Sequence, residues 1–98
     1  MTSISIQVRP LSEERFEVTV RDDRGVTRHR VRATGADLLR YGRGAPAGAV
    51  LEASFRFLLD REPKESILPS FALPDIERYF PEFPRSLATY LARAATEP

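Results

Sequence analysis

The stretch "TRHRVRATGADLLRYG", Thr27 to Gly42, changes its period halfway along, and that change decides the fold class. As far as Ala33 it alternates residue by residue. Thr27, His29, Val31 and Ala33 fall on one side, and Arg28, Arg30 and Arg32 on the other, which is the pattern of a half-buried strand. From Thr34 onward the pattern is helical. Thr34 suits an N-cap, Asp37 three residues later completes a capping box, and Gly42 offers a terminator. A chain that finishes its strands and then begins its helices reads as α+β.

Working back toward the amino terminus, Ile4, Ile6 and Val8 alternate with Ser5, Gln7 and Arg9. Phe16, Val18 and Val20 alternate with Glu17, Thr19 and Arg21. Between the second and third strands, "RDDRGV" supplies the Asp and Gly that a tight turn requires. Short connections make these three strands an antiparallel meander over residues 1–33, with one face covered by helices and the other wet. Working forward, Pro46 suits a first helical turn, where its missing N–H is no loss. Ala47 to about Arg61 is the strongest helix. Val50, Leu51, Ser54, Phe55 and Leu58 form its stripe, and Phe57 and Leu59 widen it. Glu52, Arg56 and Asp60 stand four apart on the opposite side.

Residues 61–84 hold five of the eight prolines and four of the nine aromatic residues. Proline costs about 3 kcal/mol in a helix interior, so the segment is cut into short pieces. Pro63, Pro74 and Pro84 each open one, and the last carries Leu87, Tyr90, Leu91 and Ala94 as an amphipathic helix. The expected fold is therefore one α+β domain over residues 1–98. A three-stranded antiparallel β-meander at the amino terminus packs against one main helix, and short proline-initiated helices make up the rest of the helical part, 34–98.

Ninety-eight residues with 42% hydrophobic and 30% charged side chains suffice for one modest core. The net charge of +1 favours neither nucleic acid nor membrane as a whole-molecule partner. No cysteine is present, which excludes disulfides, thiolate metal sites and cysteine nucleophiles. With no secretory signal pattern and no apolar run near the ~20 residues of a membrane span, a cytoplasmic setting is the expectation.

The chemistry-bearing residues are few. His29 is the sole histidine and lacks the companions of a catalytic or metal-ligating imidazole. It reads as a half-buried residue with one hydrogen bond. The acids are spread along the chain with no pair placed for acid–base work. "GRGAPAG", Gly42 to Gly48, leads into a helix but has neither the preceding strand nor the Lys-Ser/Thr of a nucleotide loop. It reads as a connector, with Arg43 open to casual anion contact. Neither a metal site nor a cofactor is expected. Arg28, Arg30 and Arg32 project from one strand face, about 7 Å apart. They form a candidate surface for nucleic acid or another anion, partly neutralised by Glu17 across the sheet. Ile76, Tyr79, Phe80 and Phe83 are the candidate partner-binding residues. Their rings either close the core, the favoured reading overall, or anchor a partner, with Tyr79 or Phe83 the first candidates for a surface anchor.

The runs Arg61–Leu68 ("REPKESIL") and Ile76–Glu82 ("IERYFPE") resemble a group of small bacterial proteins that share both motifs. That resemblance spans about thirty residues and implies a stand-alone bacterial protein with no assigned activity, so no site residue is carried over from it. Read on its residues, the chain is expected to be a non-enzymatic interaction or accessory module. It would act as a homodimer or on an unidentified protein partner, with weak nucleic-acid or anion binding through the arginine face as the alternative.

Overall fold

Alternation along three segments becomes three strands: β1 (Ser5–Pro10), β2 (Arg15–Asp22) and β3 (Gly25–Arg32). The computed structural model describes residues 3–96, with side chains as far as Arg93. β1 pairs with β2 and β2 with β3, both antiparallel, in a register that sets Phe16 opposite Val31, Val18 opposite His29 and Val20 opposite Thr27. All the inward residues of β2 are buried, whereas Ile6 and Val8 of the outer strand β1 are only half-buried. Two residues, Asp23 and Arg24, bridge the paired Asp22 and Gly25. The Asp22 carboxylate accepts the Arg24 amide at 2.8 Å, and Gly25 takes a φ of +135° that side chains disfavour.

The sheet has four strands, which corrects the expected count of three. β4 (Ser70–Ala72) comes from the proline-rich segment and lies parallel to β3, with Arg30 opposite Ser70 and Arg32 opposite Ala72. The order is β1-β2-β3-β4. Pro69 lends its carbonyl to the Arg30 amide at 2.8 Å, and the Leu73 amide reaches the Arg32 carbonyl at 2.8 Å. Proline fits at this point because only its carbonyl is needed.

The helices occupy one face. α1 (Gly35–Gly42) has the expected capping box: the Thr34 hydroxyl accepts the Asp37 amide, and the Asp37 carboxylate accepts the Thr34 amide, both at 3.0 Å. Gly42 is the last helical residue; the chain turns at Arg43 (φ 50°) and Gly44 (φ 96°). α2 (Ala47–Leu59) buries the expected stripe, together with Ala53 and Phe57. Ser54, the one polar member, donates its hydroxyl to the Val50 carbonyl at 2.7 Å, so its burial leaves nothing unsatisfied. Arg56 pairs with Glu52 at 3.2 Å on the wet side.

Phe55 points from α2 to the sheet and meets His29 and Phe71, with centroids 5.3 and 6.0 Å away. Phe57 points the other way and receives Phe80, Phe83 and Tyr90. Pro63 precedes a single 3₁₀ turn, Lys64–Ser66, and Pro74 precedes α3 (Asp75–Tyr79). Pro84 falls inside the first turn of α4 (Phe83–Thr96) rather than ahead of it. Leu87 is buried and Tyr90 and Leu91 half-buried along α4, while Ala94 lies outside the described side chains. The rings of the proline-rich segment are thus pinned chiefly to α2. Among the described residues, no helix is long and apolar enough to cross a membrane.

Candidate functional site

Short elements after α2 enclose a groove of about 360 Å³. Leu58 of α2 and Ile67 form its floor, and Leu68, Phe71 of β4, Ile76 and Tyr79 of α3 and Phe80 just after it its walls. The i, i+3, i+4 spacing in α3 does bring Ile76, Tyr79 and Phe80 to this one hollow. Their depths differ: Ile76 is 3% exposed, Phe80 half-buried and Tyr79 68% exposed. Of the two candidates for a surface anchor Tyr79 is the exposed one; Phe83 is fully buried between Phe57 and Tyr41 and does not border the groove. It starts α4, whose inward face seals the core, so a ring at that position has no route to solvent. Leu68, 48% exposed, takes its place as a surface apolar group. Glu62 and Asp75 sit on the rim, and among the described residues no basic side chain lines the groove.

Polar contacts at the rim and behind the groove hold its walls in place. The Asp75 carboxylate accepts the Ala72 amide at 3.0 Å, joining the start of α3 to β4. Glu77 takes the Tyr41 hydroxyl at 2.7 Å and Arg40 at 3.1 Å, joining α3 to α1. Burial, and then the Glu77 carboxylate, push the Tyr41 phenol up to about 12, so it remains a hydrogen-bond donor. Arg61 stacks on Phe57 with its guanidinium carbon 3.6 Å from the ring centroid, and it bonds Glu82 at 3.1 Å.

His29 is 2% exposed and makes two hydrogen bonds, correcting the expected half-burial and single bond. Its Nδ1 lies 2.8 Å from the Leu68 carbonyl, which can only accept, so Nδ1 carries a proton. Nε2 lies 2.8 Å from the Thr27 hydroxyl. The imidazole therefore braces the loop that carries Leu68.

Lys64 had no sequence signal beyond being the single lysine. Its side chain is buried, with Nζ 2.8 Å from Asp22 at the β2–β3 turn and in contact with Glu65. Hydrogen bonds to Asp22 and then Glu65 raise the Lys64 pKa against the effect of burial. The Lys64 hydrogen bond, followed by the Arg24 amide, lowers that of Asp22. A depressed Asp22 contributes stability above the ordinary aspartate value of about 3.9, lost as pH falls through its folded value. A raised Lys64 contributes stability below the ordinary lysine value of about 10.4, lost as pH climbs through its folded value. Urea denaturation across pH is expected to show Asp22→Asn weakening the protein most between these limits and flattening both flanks. Parallel wild-type and variant profiles would remove the pair as a stabilising link.

On the uncovered face of the sheet, Arg28, Arg30 and Arg32 stand together as expected, joined by Arg9, Arg15 and Arg21. Glu17 pairs with Arg9 at 3.1 Å, and Glu14 approaches Arg32 at 3.9 Å. Arg43 is elsewhere, capping α1 on the helical side, with its amide bonded to the Leu39 carbonyl. The Ala45 amide of the same connector goes to Gly42, so part of that loop's donor set is spent internally. Among the described residues, no three His, Cys, Asp or Glu side chains gather as metal ligands. No family model, curated protein or solved structure matches the chain.

Proposed function

We propose that the chain is a non-enzymatic interaction module that docks a segment of a protein partner in the groove between α2, β4 and α3. The carrying observation is a concave apolar surface with Tyr79 and Leu68 still exposed, whose rim holds Ser66 and two carboxylates, Glu62 and Asp75, the second 3.9 Å from Arg78. Apolar hollows with an aromatic at the lip are where binding energy concentrates. The charge of the rim selects the occupant: an apolar anchor residue flanked by Arg or Lys. A symmetric dimer through this groove would set Glu62 and Asp75 against their own copies, which like-charge repulsion disfavours. A partner of different sequence fits better than a second copy, and the lack of cysteine suits a reduced cytoplasmic setting for the pair.

Selection from a random peptide library tests the reading. Enriched peptides are expected to carry a Leu, Phe or Trp with an adjacent basic residue, and to lose at least about tenfold in affinity with Tyr79→Ala. Tyr79→Ala should leave the fold intact, since the ring is 68% exposed. Peptides without that consensus, or binding indifferent to Tyr79, would overturn the proposal. A concentration-dependent dimer abolished by Tyr79→Ala would assign the groove to self-association instead.

A further inference from the structure

Charge is compensated differently on the two sides of this molecule. On the helical side Arg40, Arg56, Arg61 and Arg78 each have a carboxylate within 4 Å, whereas Arg43 and Arg85 have none that near among the described residues. On the bare sheet face Arg15, Arg21, Arg28 and Arg30 have none among the described residues, and all four are exposed. Arg15 sits directly across from Arg32, a like-charge cross-strand pair that costs stability. The register spreads arginine over the whole sheet: Arg21 at one end, Arg28 and Arg30 along β3, and the Arg15–Arg32 pair at the other. There the surface dips into a hollow of about 410 Å³ bordered by Arg15, Arg30, Arg32 and Ser70, with Leu11 and Phe71 as its larger apolar neighbours.

From this arrangement we infer that the outer sheet face binds the phosphodiester backbone of a nucleic acid. A compact anion would be satisfied by the three guanidiniums of the hollow. Cations continuing along β3 at about 7 Å intervals fit a ligand that carries charge along its length. Guanidinium is the side chain suited to bidentate phosphate contact. Phe71 borders the hollow, but its ring turns inward to Phe55, 6.0 Å away, so among the described residues no ring is set on this face to stack a base; contacts to the backbone carry the binding and base composition has little influence. Ser70 on the neighbouring strand adds a hydroxyl at the hollow.

Fluorescence anisotropy with short labelled oligonucleotides, single-stranded and duplex, of two base compositions decides the matter. Binding is expected at low salt regardless of composition. Four phosphate contacts give a logarithmic salt slope of about −3 on a single strand, or roughly 50-fold weaker binding from about 50 to about 200 mM salt. The variant carrying Arg28→Glu, Arg30→Glu and Arg32→Glu should lose binding. Arg43→Glu, a single charge reversal off the sheet, should retain it, and Arg30→Glu alone should weaken it. An alanine triple variant, checked for native circular dichroism, covers any misfolding of the glutamate version. No binding at low salt, binding unaffected by the β3 substitutions, or binding only of a phosphoserine peptide or inorganic phosphate would each overturn the inference. Phe71 borders both hollows but Tyr79 only the groove, so Tyr79→Ala should leave oligonucleotide affinity unchanged, and failure of either reading leaves the other standing.

Discussion

Phe83→Ala is expected to destabilise the protein by about 3–5 kcal/mol, the range for removing a phenyl ring from a well-packed interior. The ring has no exposed surface and lies 5.1 Å from Phe57 and 5.3 Å from Tyr41, centroid to centroid. It therefore touches both α2 and the end of α1, and its loss opens a void where three helices meet. Domains of this size have about 5–15 kcal/mol in total, so the variant should stand close to unfolding at ambient temperature. Tyr79→Ala, four residues earlier, should stay within about 0.5 kcal/mol of wild type because the removed surface is already hydrated. Urea denaturation of the two variants side by side provides the check. Comparable losses, or a larger one at Tyr79, would contradict the placement of both rings.

Gly42→Ala presents two opposed effects. Inside a helix the exchange ordinarily gains about 1 kcal/mol from propensity. Here an added methyl would lie 2.3 Å from Val50 Cγ2, far inside contact distance. Val50 is fully buried on α2 and, being β-branched, has few rotamers to retreat into. Overpacking of this kind costs about 1–3 kcal/mol, so the clash wins and the variant should lose stability overall. Trimming the neighbour should reverse the sign: in the background of Val50→Ala, Gly42→Ala is expected to stabilise. A double-mutant cycle measured by thermal or chemical denaturation isolates that coupling. If Gly42→Ala alone raised stability, the close approach of α1 to α2 would have to be abandoned.

What could be read from the chain without coordinates was what neighbouring residues decide among themselves. The Thr34–Asp37 box, the Asp22–Gly25 turn, the alternation of β2 and β3 and the stripe of α2 each depend on residues a few positions apart. β4 was invisible for the opposite reason. Three residues between two prolines carry no usable period, and their partner strand lies forty positions back. The grouping of Ile76, Tyr79 and Phe80 followed from helical spacing. Their differing depths did not, because depth is set by what α2 and β4 place behind a five-residue helix. Which of Tyr79 and Phe83 reaches the surface is undecided by spacing for the same reason. Lys64 gives the sharpest case: in "PKES" it looks solvated, and only the distant Asp22 turn makes its burial tolerable.

The spacing of the prolines has a further effect at the borders of the sheet. A border strand offers unsatisfied backbone groups along which a foreign strand can zip, the usual origin of fibrils and unwanted oligomers. β4 gives such an intruder three residues, hemmed by Pro69 and Pro74, with the Ala72 amide already taken by Asp75. At the opposite border β1 finishes in Arg9 and Pro10, a charge followed by a residue with no N–H. Both margins are thereby poor templates for strand addition, so any recognition by this molecule falls to the side chains on its two broad flanks.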